Sequence, residues 1–360
     1  MIRLNSLQMN RTKDDSHNKL LYFIRGIAIV LVLLGHCIQY GSGEKYLETE
    51  MFFENLVFKF IYSFHMPLFM LVSGYLFYFT VNKYSLKQLM VNRIQRIIIP
   101  IMMWGSVSEG IIILKNIIRE NQLTIHSVGI DYVMTSLFNL WFLWAIFYCS
   151  IAVIIIRKLF KDNIIIYILV LLLTLILPDN LNMHMYKYMY PYFIISYLFN
   201  KHQDKIIIFF SRFKDKLLIL ISSLIYISLF VSYQHDSYIY TTGITLLGKN
   251  IKYQLVTDLY RWIIGLVGSI FVILLLKSIY KNIMKSKISE LIVIFGMNSL
   301  GLYILNGYLN QYLLTKVTAG FSMNYILIII ETVAILIISC FIIFMIRKIP
   351  TADKLLLGGR

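Results

Sequence analysis

The chain is poor in charge, in proline and in cysteine. Only 14% of its 360 residues are Asp, Glu, Lys or Arg, against about 25% in soluble domains. So few charges do not cover a water-facing surface, which excludes a soluble globular fold. Acidic residues are the scarcest, with 18 Asp and Glu against 34 Lys and Arg and a net charge of +16. Such a balance can signal nucleic acid. Here the basic residues sit between long apolar runs, as in the cytoplasmic loops of membrane proteins, so no nucleic-acid partner is expected. With five prolines, long stretches carry no helix breaker. The three cysteines, Cys37, Cys149 and Cys340, all fall inside apolar runs and none forms a CxxC pair. They read as small buried hydrophobes rather than a disulfide framework, and no metal site is expected.

What the chain has is apolar length. It is 59% hydrophobic with a mean hydropathy of +0.73, where about 45–50% apolar is usual. The runs are continuous rather than alternating, so they are helices and not barrel strands. Ten runs stand out, at 20–40, 55–79, 94–114, 136–156, 163–178, 186–200, 217–233, 259–276, 291–312 and 325–346. The fold expected is all-α, a polytopic transmembrane helix bundle of about ten spans. Pro178 should end the fifth run and Pro191 should kink the sixth.

Charge sets the orientation. The N-terminal tail, the segments 80–96, 157–162, 201–216 and 277–287, and the C-terminal tail hold 24 Lys and Arg, whereas the intervening loops hold six. This alternation puts both termini in the cytoplasm. The 41–54 loop, with Glu44, Glu48, Glu50 and Glu54, faces outward. The organisation expected is a cytoplasmic tail over 1–19, a membrane domain over 20–346 and a cytoplasmic tail over 347–360. The polar head Asn10–Asn18 reads as disordered. No cleavable signal peptide is expected, because the first run carries Arg25 and His36, which a discarded segment would not need. The expected location is a cell membrane, crossed many times.

Ionisable groups inside spans cost energy and call for a reason. A charge at a helix centre in hydrocarbon costs about 2.5–3.5 kcal/mol on insertion scales. Arg25 and His36 lie eleven residues apart in the first span, about 16 Å of rise and close to three turns, so they face one way at different depths. Arg93 and Arg96, in Arg-Ile-Gln-Arg at the entry to the third span, share one helix face. Three guanidinium groups near the inner leaflet would suit phosphate, with positive-inside anchoring as the plainer reading for Arg93. A second group lies toward the outer half: His36, His65, Glu109, Arg261 and Glu331. Histidine can act as a general base near neutral pH, and a carboxylate from Glu109 or Glu331 would orient it. Pro67 should bend the second span beside His65. Trp141 reads as an interfacial anchor and Trp144 as a platform on which a sugar stacks.

Several of these segments carry a family resemblance. Leu21-Tyr-Phe-Ile-Arg25 through Gly35-His36 resembles the first span of the acyltransferase-3 family of bacterial integral-membrane acyltransferases. Phe64-His65-Met66-Pro67 with Ser73-Gly74-Tyr75 resembles its second-span motif, and Arg93-Ile-Gln-Arg96 its Arg-x-x-Arg entry to span three. Leu140-Trp-Phe-Leu-Trp144 and Gly296-Met-Asn-Ser-Leu-Gly-Leu-Tyr-Ile-Leu-Asn306 resemble two weaker motifs. The nearest subgroup is the sugar O-acetylases of the fucose 4-O-acetylase type. The resemblance implies transfer of an acetyl or other short acyl group from acyl-CoA to a carbohydrate acceptor, a surface polysaccharide or its lipid-linked precursor. It makes acetyl-CoA a donor substrate, with no permanently bound cofactor. It implies that His36 is essential, as general base or acyl carrier, and that Arg25, Arg93 and Arg96 hold the donor. Glu109 and Glu331 would support His36, and His65, Tyr75, Trp144 and Arg261 would line the acceptor side. Many members carry His where this chain has Asn306, a departure that leaves that position without an implied role. The alternative reading is a proton-coupled transporter or exporter, since His, Glu and Arg within spans also build permeases.

Overall fold

A computed structural model of the chain describes residues 2–119, 125–203, 213–244 and 250–359. Most of the basic 201–216 segment, Lys249 and Arg360 lie outside the described residues. Every regular element among the described residues is helical, as the unbroken apolar runs require. In chain order the main helices are α1 (Ile2–Tyr40), α2 (Leu56–Tyr62), α3 (His65–Lys83), α4 (Leu86–Ile118), α5 (Ile125–Phe138), α6 (Trp141–Phe160) and α7 (Ile164–Ile176). There follow α8 (Met183–Lys201), α9 (Asp215–Phe230), α10 (Ile251–Ile283), α11 (Lys287–Met297), α12 (Ser299–Val317), α13 (Tyr325–Arg347) and α14 (Pro350–Leu356).

Among the described residues six helices are long and apolar enough to cross a membrane: Asn18–Tyr40 within α1, the α2–α3 pair over Leu56–Lys83, α4, α6, α10 and α13. A seventh candidate is the α11–α12 pair, bent by 76° at its break. The remaining runs are helical but differ from the expected spans. The 13 residues of α7 rise about 20 Å, short of the ~30 Å hydrocarbon layer. The 16 residues of α9 fall short as well. The α8 helix has the length but carries Lys187, Pro191 and a series of tyrosines, which lower its apolarity. The stretch Asn10–Asn18, expected to be disordered, is helical, because α1 begins at Ile2.

Local chemistry explains the breaks. Pro178 follows Leu177, which is extended at φ −69°, ψ 147° and closes α7, as the residue before a proline prefers. Pro67 does not kink a continuous helix. The backbone turns at Ser63-Phe64 and restarts at His65, which puts Pro67 in the first turn, where its missing N–H costs nothing. The α2 helix begins at Asn55, whose side-chain oxygen accepts from the backbone N–H of Val57 at 3.0 Å and of Phe58 at 3.1 Å. Asn163 caps α7 in the same way, accepting from Ile165 at 2.9 Å.

The chain falls into two compact units. One is drawn from Met1–Val72, Lys205–His235 and Ile263–Ile343, the other from Ser73–Asp204, Asp236–Trp262 and Phe344–Arg360. In the first unit α1 packs on α11, α12 and α2. In the second, α6 packs on α8 and α4 packs on α5 and α14. The C-terminal α14 is tied to α4, since the Trp104 indole N–H donates to the Leu356 carbonyl at 2.9 Å.

Candidate active site

In the first unit the site is built on α1. Two glycines let α11 approach it closely. A Cβ at Gly26 would collide with the Ile292 carbonyl, and a Cβ at Gly296 with the Tyr22 carbonyl. Backbone against backbone at two reciprocal points fixes the register of this crossing. The chain then bends at Asn298, and α12 begins with Ser299. Just there Arg25 Nη2 donates to Ser299 Oγ at 2.6 Å. The Arg25 Nε is buried with no hydrogen-bond partner.

Further along α1, His36 meets the same helix. Its Nδ1 is 2.6 Å from the Asn306 side-chain nitrogen, and its ring stands edge-on to Tyr40, centroids 5.9 Å apart. Arg25 and His36 therefore face one partner, α12, and the common face expected from their spacing on α1 is realised. Asn306 is linked onward. The Asn310 side-chain nitrogen donates to Asn306 Oδ1 at 2.6 Å and to the Asn306 backbone carbonyl at 2.7 Å. Cys37 Sγ lies 4.0 Å from Asn310 Oδ1. Asn306 and Asn310 are both fully buried. The helix opens into a π turn from Asn310 to Leu314, a distortion frequent at functional sites.

The end of α1 is tied down separately. Thr318 Oγ1 donates to the Tyr40 carbonyl at 3.2 Å, and the Glu44 N–H to the Ala319 carbonyl at 3.1 Å. Glu331, on α13, sits so close to Gly41 that a Cβ there would collide with its carboxylate. Both Glu331 oxygens are buried without a hydrogen-bond partner. Asn306, not Glu331, holds the His36 ring.

His65 lies at the break before α3. Its Nδ1 donates to the Ile61 carbonyl at 2.8 Å, and its ring packs on Tyr62 with centroids 4.6 Å apart. Tyr62 in turn lies against Gly35, where a Cβ would come within 2.9 Å of its ring. Neighbours satisfy the rest of the break: Ser269 Oγ donates to the Phe64 carbonyl at 3.2 Å, and Ser63 Oγ pairs with the Tyr226 hydroxyl at 2.7 Å.

The other candidate residues belong to the second unit. Arg93 stacks over the Phe77 ring at 4.3 Å. Immediately after it the backbone forms a π turn, Ile94–Ile98. Arg93 is half-buried and Arg96 exposed; the stretch between them is a π turn rather than the regular α-helix expected. The backbone of Arg96 is covered by Gly358, whose φ of 77° and close approach leave no room for a side chain. Glu109 is buried with both carboxylate oxygens unpartnered. Trp144 donates to the Ser136 carbonyl at 2.9 Å and stacks on Tyr148. The Tyr75 hydroxyl donates to Gln203 at 3.1 Å.

Arg261 is 1% exposed and fully engaged. It forms a 2.9 Å ion pair with Asp258 and donates to the carbonyls of Asp236, Ser237, Tyr238 and Gly243 and to the Thr242 hydroxyl. A contact between Arg261 and an acceptor would have to displace one of these bonds. Lys187 does similar work nearby. It donates to Asp179 at 2.9 Å and to the Leu177 and Ile244 carbonyls at 2.5 and 2.7 Å.

Ser299 and Asn310 were not among the residues singled out from the sequence, and Asn306 was noted only as the place of a family histidine, without a role. The signal for them is their spacing: steps of seven and four place all three on one face of an apolar helix.

Arg25 and His36 thus lie on one helix long and apolar enough to cross a membrane, both bonded to α12. The profile of the acyltransferase domain of the acyltransferase-3 type matches residues 20–348, and the chain belongs to that family. Two curated relatives are nodulation proteins NolL. That of Mesorhizobium japonicum is 34% identical over 141 residues, 39% of this chain and 35% of the relative. That of Sinorhizobium fredii is 33% identical over 143 residues, 38% of this chain and 35% of the relative. The match thus spans about a third of the length of each relative. No solved structure matches the chain.

Proposed function

We propose that this protein is an O-acyltransferase of the bacterial cell membrane. It moves an acetyl or other short acyl group from acyl-CoA to a hydroxyl of a surface polysaccharide or its lipid-linked precursor, in the manner of the fucose 4-O-acetylase subgroup. Family membership supports the reaction class. The observation that carries the residue assignment is the pairing of Arg25 and His36 with one helix, through Ser299 and Asn306. Arginine donors suit the phosphates of the donor; Arg93 and Arg96 take that role in the second unit and Arg25 in the first. Both termini lie in the cytoplasm, as the Lys and Arg distribution requires. Glu109 and Glu331 are the carboxylates available to support the chemistry. His65, Tyr75, Trp144 and Arg261 serve the acceptor, Arg261 only by giving up one of its bonds to the 236–244 segment or Asp258.

His36 has two conceivable tasks as base or acyl carrier, and both need a ring nitrogen with a bare lone pair facing substrate. The test is transfer of label from acetyl-CoA to cell-surface glycan. His36→Ala should abolish transfer while the protein remains in the membrane at normal level. Transfer at the wild-type rate in that variant would remove His36 from the reaction. Substrate movement into proteoliposomes without acetyl-CoA would favour a transporter instead.

A further inference from the structure

We infer that Asn306 and Asn310 hold His36 in the tautomer with its proton on Nε2, so that His36 acts as a hydrogen-bond donor to the acyl carbonyl oxygen rather than as a proton acceptor. This rests on the acyltransferase reading with His36 at the reacting centre.

The starting point is a backbone carbonyl, a group that only accepts. The Asn310 amide atom 2.7 Å from the Asn306 carbonyl must therefore be its nitrogen. That same nitrogen lies 2.6 Å from the Asn306 side chain. Its two hydrogens serve two acceptors, so the Asn306 atom facing it is Oδ1. The Asn306 nitrogen is thereby turned toward His36 Nδ1, at 2.6 Å. An amide N–H donates, so Nδ1 receives and carries no proton. A neutral imidazole has one N–H, and here it sits on Nε2. Cys37 closes the far end as a weak donor toward Asn310 Oδ1. Turning any one amide over would set donor against donor or acceptor against acceptor in a buried site. Each such clash costs about 1–3 kcal/mol.

The chemical consequence follows from which nitrogen is left. The lone pair of His36 lies on Nδ1, under the Asn306 amide, so it is closed to a hydroxyl proton and to an acyl group. The exposed function of the ring is the Nε2–H. A neutral imidazole N–H stabilises negative charge that develops on a carbonyl oxygen, and its fixed position adds no reorganisation cost. As the ester C–O bond forms and the thioester C–S bond breaks, the proton of the acceptor hydroxyl leaves with the CoA thiolate, so the transfer balances without a proton on His36 Nδ1. His65 is built the other way round. Its Nδ1 hydrogen goes to the Ile61 carbonyl, which leaves the lone pair on Nε2.

Asn306 and Asn310 are positioning residues in this scheme, and the tautomer can be read without activity. The probe is 15N NMR of detergent-solubilised protein labelled at histidine, with His36→Gln used to assign the His36 signals. The expected spectrum shows His36 protonated at Nε2 and His65 at Nδ1. Asn306→Asp, which can only accept, should move the His36 proton to Nδ1. It should lower kcat at least tenfold with KM for acetyl-CoA little changed. His36→Gln carries an amide nitrogen near the former Nε2 and should retain a measurable fraction of the transfer that His36→Ala loses. A wild-type signal with the proton on Nδ1, or a His36→Gln variant as inactive as His36→Ala, overturns the donor role. Normal transfer by His36→Ala would instead overturn the placement of His36 at the reacting centre, a separate failure. Should Asn306→Asp not fold, the wild-type spectrum still decides.

Discussion

A side chain in a membrane protein declares its purpose by what it is bonded to. Arg261 and Arg25 are both arginines inside apolar surroundings, but they are built differently. Every donor nitrogen of Arg261 is engaged, by Asp258 and by the 236–244 backbone, whereas Arg25 offers one bond to Ser299 and leaves Nε unpartnered. The first is a structural clamp. The second has capacity left for a ligand. Removing one partner of a buried ion pair leaves an uncompensated charge, at a cost of about 3–5 kcal/mol. Arg261→Met should therefore lower the unfolding temperature of the purified protein sharply. Adding Asp258→Asn in the same chain should restore part of that loss, which differential scanning fluorimetry in detergent would read. The cost of Arg261 in an apolar run was legible in the sequence. Its bonds were not, because all but one of the groups that hold it are backbone carbonyls and a hydroxyl from a segment some twenty residues away in the chain.

At the scale of elements, the α1–α11 crossing positions the site. It depends on Gly26 and Gly296, each facing a carbonyl on the opposite helix. Gly26→Val places a branched side chain against backbone that cannot move without shifting α11, and overpacking of this kind costs about 1–3 kcal/mol. The shift would also displace Ser299 and Asn306 from Arg25 and His36, so transfer activity should fall together with thermal stability. Gly110→Ala is the control, since nothing lies within 4 Å of a Cβ there; it should leave stability unchanged or raise it by about 0.5–1 kcal/mol. The helices themselves follow from apolar runs and from breakers such as Pro178. The π turns at Ile94–Ile98 and Asn310–Leu314 leave no mark in composition or periodicity. The first of them lies between Arg93 and Ile99 and includes Arg96.

For the whole molecule the open physical question is how the shorter helices use the bilayer. The Lys and Arg distribution predicts that 157–162 is cytoplasmic, and α7 follows it directly. If the 13 residues of α7 cross, with the bilayer thinned or the flanking residues reaching to the interface, a cysteine at Lys161 and one at Asn180 should label from opposite sides of intact membrane vesicles. Labelling of both from the cytoplasmic side would make α7 a helix that does not cross. The C-terminus should label from the cytoplasmic side in the same assay.

Apolar runs and scarce charge were enough to decide that the chain is helical and embedded in a membrane, because backbone groups in hydrocarbon must be satisfied within the segment. The cost of burying Arg25 and His36 singled them out as candidates for the same reason. Which residues answer them was settled only by the folded chain. Ser299 and Asn306 lie some 270 positions from their partners, neutral amides and hydroxyls in an apolar run say little of what they bond to, and the direction of a hydrogen bond depends on a backbone carbonyl whose position no local pattern encodes.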